Sequence, residues 1–436
     1  MDQPQSQAEI ARRLLTEIRS LIYNVPEHTK GHIELIKATL GSPSQTQLLV
    51  SALIGVVLLF QVYIRFRNVT ANRKSRFLAS PGFPLPEALS DFDWATQEPP
   101  QLRPFRPKYH LTMALENMEP SELIPMDKTY KERLQYRRKI LKEHREIVIA
   151  MHDESDPRIT AAVSEFYRYI MSTYLPVRYP TMFRLHETTF ETGKAYMLEN
   201  LVLNELYPSE VTQLTSPMRA LEILYKTVDE DFLILLPEES DSDSSPSSTE
   251  GSGKTAAATV QTKYRLIAYE NCYPAGFNPR KKLGKLLADI HAPVPGYQDK
   301  LEKSMDRYFA NIEVGKYVKR VNWSISTDTE LFAAFGGLHS SENENQKEEK
   351  IKEGQLDVDS TKLRCERQTL HRLPKSRALV FGFHTYTYPI KQIKEEGLGE
   401  DLATAIDGLK TGSIPAIHDY KRGAIWGDAV KAYLRS

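Results

Sequence analysis

Eleven histidines offer the most direct route to metal chemistry in this 436-residue chain. No HExxH or HxH pair occurs among them, so their spacing does not predict a site built from several imidazoles. A haem iron is different, because it needs only one protein imidazole in an apolar pocket. His291 is the best-placed candidate, since it ends a helix-like run and is followed by Pro293 and Pro295. From the residues alone, a helix cap or a core position is the more frequent role for such a histidine.

Two glycine-containing motifs resemble nucleotide-binding sequences without completing them. The GSGKT sequence at 251–255 ends like a phosphate-binding loop, but Ser248 stands where the first glycine should be, and serine-rich sequence precedes it. Gly397 and Gly399 do not follow a strand in a βαβ pattern. The chain therefore carries no nicotinamide, flavin or nucleoside triphosphate fingerprint.

Charge and cysteine content exclude further classes of site. Lys plus Arg and Asp plus Glu both number 57, so no basic excess indicates nucleic acid as a partner. Cys272 and Cys365 are the two cysteines and form no CxxC pair, which excludes a thiolate zinc site, an iron–sulfur cysteine set and a disulfide framework. Both thiols fit a reducing compartment, where each is expected to be a small buried side chain.

An apolar run at 48–64 contains no charged residue, and we predict a single transmembrane helix over 46–65. The run begins too late for a cleavable signal peptide. Five Lys or Arg residues follow it closely and two precede it, which predicts a single-pass protein in a lipid bilayer with its C-terminal domain in the cytosol. A buried core helix is the alternative. Residues 1–45 are predicted to form an N-terminal helical segment.

The remaining chain predicts one α+β domain. Residues 66–104 are basic and then proline-rich, as in an extended tether, and the domain is predicted over 105–432. Helical spacing covers 126–151 and 157–174. Alternating apolar residues predict strands of an antiparallel sheet at 231–237, 264–272, 321–326 and 378–389. Hydrophilic sequence predicts two disordered inserts, at 238–261 and 339–359.

Several longer motifs, taken in order, give the chain a family resemblance. They begin with LENMEPSELIPMDKTYKERLQYRRKIL and end with RCERQTLHRLPKSRALVFGFHTYTYPI, and they occupy 115–141, 228–237, 268–297, 320–325 and 364–390. This ordered set resembles the haem-dependent oxidative N-demethylase family, formerly a domain of unknown function, with the chain looking like a membrane-anchored, fungal-type member. The resemblance implies a PAS-like antiparallel sheet flanked by helices, preceded here by the transmembrane helix.

The resemblance also implies a cofactor, a reaction and partners. It implies haem b, removal of a methyl group from a small secondary amine with O2, and electrons from a separate flavin or iron–sulfur reductase. His291, in IHAPVP, becomes the preferred axial ligand, with His384 as a rival in the last strand. The polar residues implied around haem or substrate are Arg320, Asn322 and Trp323 in RVNW, and Arg364, Glu366, Arg367, Gln368 and Arg372 in RCERQTLHR. For each of these, a salt bridge between sheet and helix is an equally good interpretation.

Two other classes of function stay open. A membrane-tethered haem sensor or haem-binding protein without turnover would use the same fold and ligand. An interaction scaffold without haem would need neither.

Overall fold

A seven-stranded antiparallel sheet dominates the computed structural model, which describes residues 80–190, 193–212, 216–238, 262–327, 330–339 and 349–436. Its strands lie in the order β1-β8-β9-β10-β6-β7-β2. A second sheet has the order β3-β4-β5. The strands are β1 (Glu116–Met118), β2 (Ile149–Met151), β3 (Phe183–Phe190), β4 (Gly193–Asn200), β5 (Glu205–Pro208), β6 (Asp231–Pro237), β7 (Tyr264–Glu270), β8 (Tyr317–Ser326), β9 (Lys362–Arg372) and β10 (Leu379–Pro389).

Helices cover the large sheet, which confirms the predicted α+β class with an antiparallel sheet flanked by helices. They are α1 (Tyr130–Val148), α2 (Pro157–Arg168), α3 (Leu175–Arg178), α4 (Pro217–Thr227), α5 (Leu287–His291), α6 (Tyr297–Lys300), α7 (Glu302–Asn311), α8 (Ile390–Glu395), α9 (Gly399–Thr411), α10 (Ile417–Tyr420) and α11 (Gly423–Arg435). A π-helical turn, Tyr169–Tyr174, continues α2.

Local sequence explains where several helices begin. The side chain of Asp156 accepts a hydrogen bond from the Arg158 backbone N–H at the start of α2, where Pro157 occupies the first turn. Ser216 caps α4 in the same way, next to Pro217. In α1, buried residues recur at helical spacing, so one stripe of the helix faces the core.

The sheet is buried on both faces, and this explains its long apolar runs. Buried and exposed residues alternate in a half-exposed strand, yet five of the seven residues of β6 are buried, including the consecutive Ile234, Leu235 and Leu236. One core joins α1, α2 and α4 to the sheet. Two further cores pack α5–α7 and α9–α11 against its other parts.

The register of strands β8, β9 and β10 places polar side chains of neighbouring strands next to each other. Arg320 of β8 lies opposite Gln368 of β9, and Gln368 lies opposite Phe383 of β10. Asn322 lies opposite Glu366 one row further along. Because paired residues share a face and side chains alternate along a strand, four polar side chains meet on one face: Arg320, Asn322, Glu366 and Gln368.

Of the segments that precede the predicted domain, the structure describes residues 80–104. Residues 1–45 and the predicted membrane helix at 46–65 lie outside the described residues. No helix in the described part of the chain is long and apolar enough to cross a membrane. From the predicted tether, Phe83 stacks on Tyr169 with ring centroids 3.9 Å apart, and the Leu102 backbone N–H donates to the Tyr388 hydroxyl over 3.1 Å. Its described residues therefore pack on the domain.

Candidate functional site

A cavity of about 280 Å³ lies on the face of the sheet that carries the four polar side chains. Small-molecule sites have volumes of roughly 300 Å³ upward, so this cavity is close to the lower end of that range. Leucine, phenylalanine, methionine and tyrosine side chains make up most of its wall. The residues with polar or titratable groups are Tyr109, Thr112, Lys282, His291, Tyr297, Arg320, Asn322, His339, Glu366, Gln368, Thr369, Tyr420 and Lys421.

A continuous chain of hydrogen bonds joins the polar side chains of the sheet wall. Arg320 donates from Nε to Oε1 of Gln368 over 2.6 Å, and Gln368 donates from Nε2 to Oε2 of Glu366 over 3.0 Å. Asn322 donates to the same Glu366 oxygen over 3.4 Å and accepts a 3.1 Å bond from Nζ of Lys421. Neutral amides thus separate the carboxylate from both cations.

Two cations at this wall, the buried Lys421 and the half-buried Arg320, bind only neutral acceptors among the described residues. Lys421 donates to Asn322 and to the Trp323 carbonyl oxygen, and Arg320 donates to Gln368 and to the Met113 carbonyl oxygen. Burial lowers the pKa of Lys421 to about 8 and also lowers the pKa of Arg320. Both cations would gain free energy from an anion placed in the cavity.

His291 stands at the C-terminal end of α5 with its tautomer fixed. Its Nδ1 lies 2.9 Å from the Leu287 carbonyl oxygen, and only an N–H can donate to that oxygen. Nε2 therefore keeps its lone pair. The ring stacks on Tyr297, with centroids 4.8 Å apart. Burial, with smaller contributions from Lys282 and Arg320, lowers the pKa of His291 to about 4, so the imidazole is neutral at pH 7.

The turn after His291 requires glycine. Gly296 has φ of 73°, and a Cβ built there would lie 2.6 Å from a side-chain carbon of Ile414. Any other residue would be strained by its backbone angle, and the end of the Ile414 side chain would have to shift. The turn fixes the path from α5 to α6 and so the stacking partner of His291, Tyr297.

A second imidazole, His339, lines the same cavity with the same arrangement. Its Nδ1 lies 2.7 Å from the Ala275 carbonyl oxygen, and its ring lies 4.7 Å from the Tyr420 ring. Burial, with nearby Lys421, lowers the pKa of His339 to about 3. The segments that contain Ala275 and Ala333 cover the cavity, and backbone pairing of these two residues holds the two covering segments together.

The predicted site residues divide between the cavity wall and other places. His291 and Arg320 line the cavity, together with Asn322, Glu366 and Gln368. Trp323, Arg367 and Arg372 are absent from the described lining. Trp323 packs in the core under α9–α11, Arg367 donates to the Glu122 carbonyl oxygen over 2.6 Å, and Arg372 donates to the Ile312 carbonyl oxygen over 2.8 Å.

Two other residues named from the sequence also bind protein groups. Arg364 donates to the Tyr273 carbonyl oxygen over 2.8 Å, so it ties the sheet to a segment that covers the cavity. His384, the rival ligand, is buried 3.1 Å from a Glu230 oxygen and 3.2 Å from an Asp229 oxygen. It is also absent from the described lining.

Three lining residues had no signal of their own in the sequence. His339 stands at the start of a predicted disordered insert, and the preceding apolar run LFAAFGGL was the available hint of burial. Tyr420 and Lys421 lie in the helical C-terminal region, more than fifty positions after Glu366, so only the fold brings them to that residue. Residues 349–359 of that insert are described, and the Ile351 backbone N–H donates to the Ile425 carbonyl oxygen over 3.0 Å.

The cavity residues suit a haem better than a bare metal ion. No group of three or more His, Cys, Asp and Glu side chains within the described ranges is placed to hold a metal ion. One neutral imidazole in an apolar cavity is enough for a haem iron, and the two cations bound to neutral acceptors match its propionate carboxylates.

A comparison with protein families also supports haem as the ligand of the cavity. A family model described as "Haem-dependent oxidative N-demethylase, alpha subunit-like" matches residues 114–431, which is more than half of the chain. The matched range contains both cavity histidines and all four polar residues of the sheet wall. The resemblance to this family that the sequence motifs indicated is thereby confirmed, whereas the membrane-anchored, fungal-type form stays a prediction.

Proposed function

The chain belongs to the haem-dependent oxidative N-demethylase alpha-subunit-like family, and from this membership we propose that its cavity binds haem b for oxidative removal of a methyl group from a small secondary amine. The observation that carries the proposal is the neutral His291 imidazole, whose Nε2 is free in a largely apolar cavity that the cations Arg320 and Lys421 also line.

His291 is the proposed axial ligand. Iron coordination requires a deprotonated ring nitrogen, and a hydrogen bond at the other nitrogen orients the ring and raises its basicity. The Leu287 carbonyl oxygen supplies that second contact, and Tyr297 limits rotation of the ring by stacking on it.

Arg320 and Lys421 are the proposed partners of the propionates. The planar guanidinium of Arg320 pairs well with a carboxylate, and Lys421 offers a second positive charge. Their amide partners, Gln368 and Asn322, hold both cations at the wall before a ligand binds. Trp323, Arg367 and Arg372 would act at a distance, by fixing the strands and covering segments.

Bound haem would supply reductive activation of O2. The overall reaction consumes (CH3)2NH, O2, two electrons and two protons, and yields CH3NH2, CH2O and H2O. The chain has no flavin, nicotinamide or iron–sulfur motif, so a separate reductase is proposed to deliver the electrons.

Strand order supports the PAS-like interpretation of the fold. The five central strands lie in the order β7-β6-β10-β9-β8, which is the 2-1-5-4-3 arrangement of PAS-type sheets. α5 and His291 lie between the second and third of these strands in the sequence.

A haem sensor without turnover is the second candidate, and His339 favours it. If both His291 and His339 bound the iron, no coordination position would remain for O2. The same chain would then respond to redox state or to a ligand that displaces one imidazole.

A membrane location is proposed from the sequence between residues 46 and 65. Alkaline carbonate extraction of membranes containing the full chain tests it. An anchored chain stays with the membrane, whereas release of the full chain into the supernatant would contradict the anchor.

Formaldehyde production tests the catalytic proposal. The haem-loaded full chain is supplied with O2, ¹³C-labelled dimethylamine, and electrons from NADPH through a surrogate ferredoxin reductase and ferredoxin. Equal amounts of labelled formaldehyde and methylamine are expected, with H186A as a matched control because His186 lies in the small sheet. Haem that is reduced and reoxidised without formaldehyde from any secondary amine would contradict demethylation and support the sensor.

A further inference from the structure

Glu366 is the only carboxylate among the described residues that line the cavity, so it is the group there that could bind a cationic ligand. The side chain is 7% exposed. Both of its described hydrogen bonds, from Asn322 and Gln368, reach Oε2. Oε1 accepts no hydrogen bond from the described residues. This oxygen is also not fully enclosed by protein atoms, so it remains accessible from the cavity.

The charge of Glu366 is not neutralised by direct contact with a cation in the described structure. Lys421, Arg320 and Arg364 each interact electrostatically with Glu366. Asn322 and Gln368 stand between the carboxylate and the first two cations, and Arg364 donates its hydrogen bonds to backbone carbonyl oxygens. In the proposed function both cations pair with the propionates. The buried carboxylate would then have Arg364 nearby but no cation in direct contact, and burying a charge without a direct partner is costly.

Aromatic residues line the cavity together with Glu366. Tyr420 interacts electrostatically with Glu366 and with Tyr109, and both tyrosines line the cavity. Phe383 lies opposite Gln368 in the sheet. Methylated ammonium groups bind well where a carboxylate accepts their N–H and aromatic faces contact their methyl groups.

We propose that Glu366 Oε1 binds the protonated nitrogen of a small N-methyl amine, with Tyr420 and Tyr109 contacting its methyl groups. Dialkylamines have pKa values near that of lysine, about 10.4, and are therefore cations at pH 7. The site would select cationic secondary amines over neutral molecules of the same shape. This inference rests on the proposed function for its biological meaning, but the binding itself does not require haem chemistry.

Calorimetric titration of the full chain tests the inference with two probes of nearly equal shape, dimethylammonium chloride and propan-2-ol. Each is titrated into the haem-loaded and the haem-free protein. The wild-type chain is expected to bind dimethylammonium at least tenfold more tightly than propan-2-ol. In E366Q, which keeps the size and hydrogen bonds of the side chain, this preference is expected to disappear while propan-2-ol binding is unchanged.

Further variants separate charge from folding. E366D should retain part of the preference because it keeps the carboxylate, and Y420L should weaken dimethylammonium binding severalfold. K319M is the control, because Lys319 of β8 pairs with Glu122 and is absent from the described lining. Far-UV circular dichroism and the thermal midpoint establish that each variant folds.

Two results would overturn the inference. One is E366Q binding dimethylammonium as tightly as the wild-type chain. The other is a wild-type chain that binds neither probe or does not prefer the cation. A chain that binds dimethylammonium through Glu366 but no haem would instead contradict the proposed function and leave the inference standing.

Discussion

The Nδ1 atom of His339 lies 2.7 Å from the Ala275 carbonyl oxygen, and this contact leaves the other ring nitrogen free beside the cavity. His291 makes the equivalent contact with Leu287 over 2.9 Å. Two neutral imidazoles with the same tautomer therefore share one cavity. The enzyme and the sensor differ in how many of these two histidines bind the iron. The enzyme needs a single histidine ligand, because O2 must bind as well, whereas the sensor would use both.

For the enzyme, H339A is expected to retain haem at full stoichiometry, with haemin affinity within about threefold of the wild-type value. Iron coordination by His291 does not depend on His339. Electron paramagnetic resonance of the ferric protein reads the coordination directly. A change from low spin to high spin in H339A would show that His339 was a second ligand and would support the sensor.

R320M is expected to weaken haemin binding roughly 10- to 150-fold, because a charged hydrogen bond contributes roughly 1.5 to 3 kcal/mol. Fluorescence quenching during haemin titration measures the affinity. K319M removes a neighbouring charge on the same strand and should have no comparable effect. Equal losses in the two variants would indicate a general electrostatic contribution instead of a propionate contact.

Lys421 gives haemin binding a pH dependence. Its pKa of about 8 in the free protein means that it is cationic below pH 8 and increasingly neutral above it. An anion bound beside the ammonium raises this pKa, so binding above pH 8 requires uptake of a proton, and affinity falls as pH rises. Titrations between pH 7 and 10 should show this fall in the wild-type chain and a shallower one in K421M. Parallel curves would exclude Lys421 as a propionate partner.

Removing the cation from a buried cluster of two ion pairs at the sheet should strongly destabilise the domain. Arg137 donates to Asp231 over 2.6 Å and to Glu270 over 2.5 Å, and all three side chains are fully buried. Burial opposes its charge, but the two carboxylates raise the pKa of Arg137 well above the ordinary value. R137M is expected to lower the free energy of unfolding by about 3 to 5 kcal/mol, because two carboxylates lose their partner.

R138M is the matched control for this measurement. Arg138 is the next residue of α1 and forms a partly exposed pair with Glu205. Its replacement should cost at most about 1 kcal/mol in urea unfolding. A similar loss in both variants would contradict a special role for the buried pair.

Sequence patterns predicted the parts of the fold that depend on local periodicity. The predicted strands at 231–237, 264–272, 321–326 and 378–389 correspond to β6, β7, β8 and β10. The helical spacing at 126–151 corresponds to α1, and the spacing at 157–174 corresponds to α2 with its π-helical turn.

Contacts between distant segments were beyond such patterns. Glu366 meets Asn322 only through the register of β8 and β9, and a long hydrophilic stretch separates these strands in the sequence. His339 and Lys421 join them through loops and a C-terminal helix that no local periodicity connects. Single residues in one strand also divide between its faces, so Gln368 lines the cavity and Arg367 does not.

Haemin titration of the full chain and of H291A, followed by visible absorption, tests the central claim most directly. The wild-type chain should develop a Soret band that saturates at one haemin per chain. H291A should lose this band or shift it, while H186A should match the wild-type chain. A saturating band that is identical in H291A, or no band in the wild-type chain, would contradict haem binding through His291.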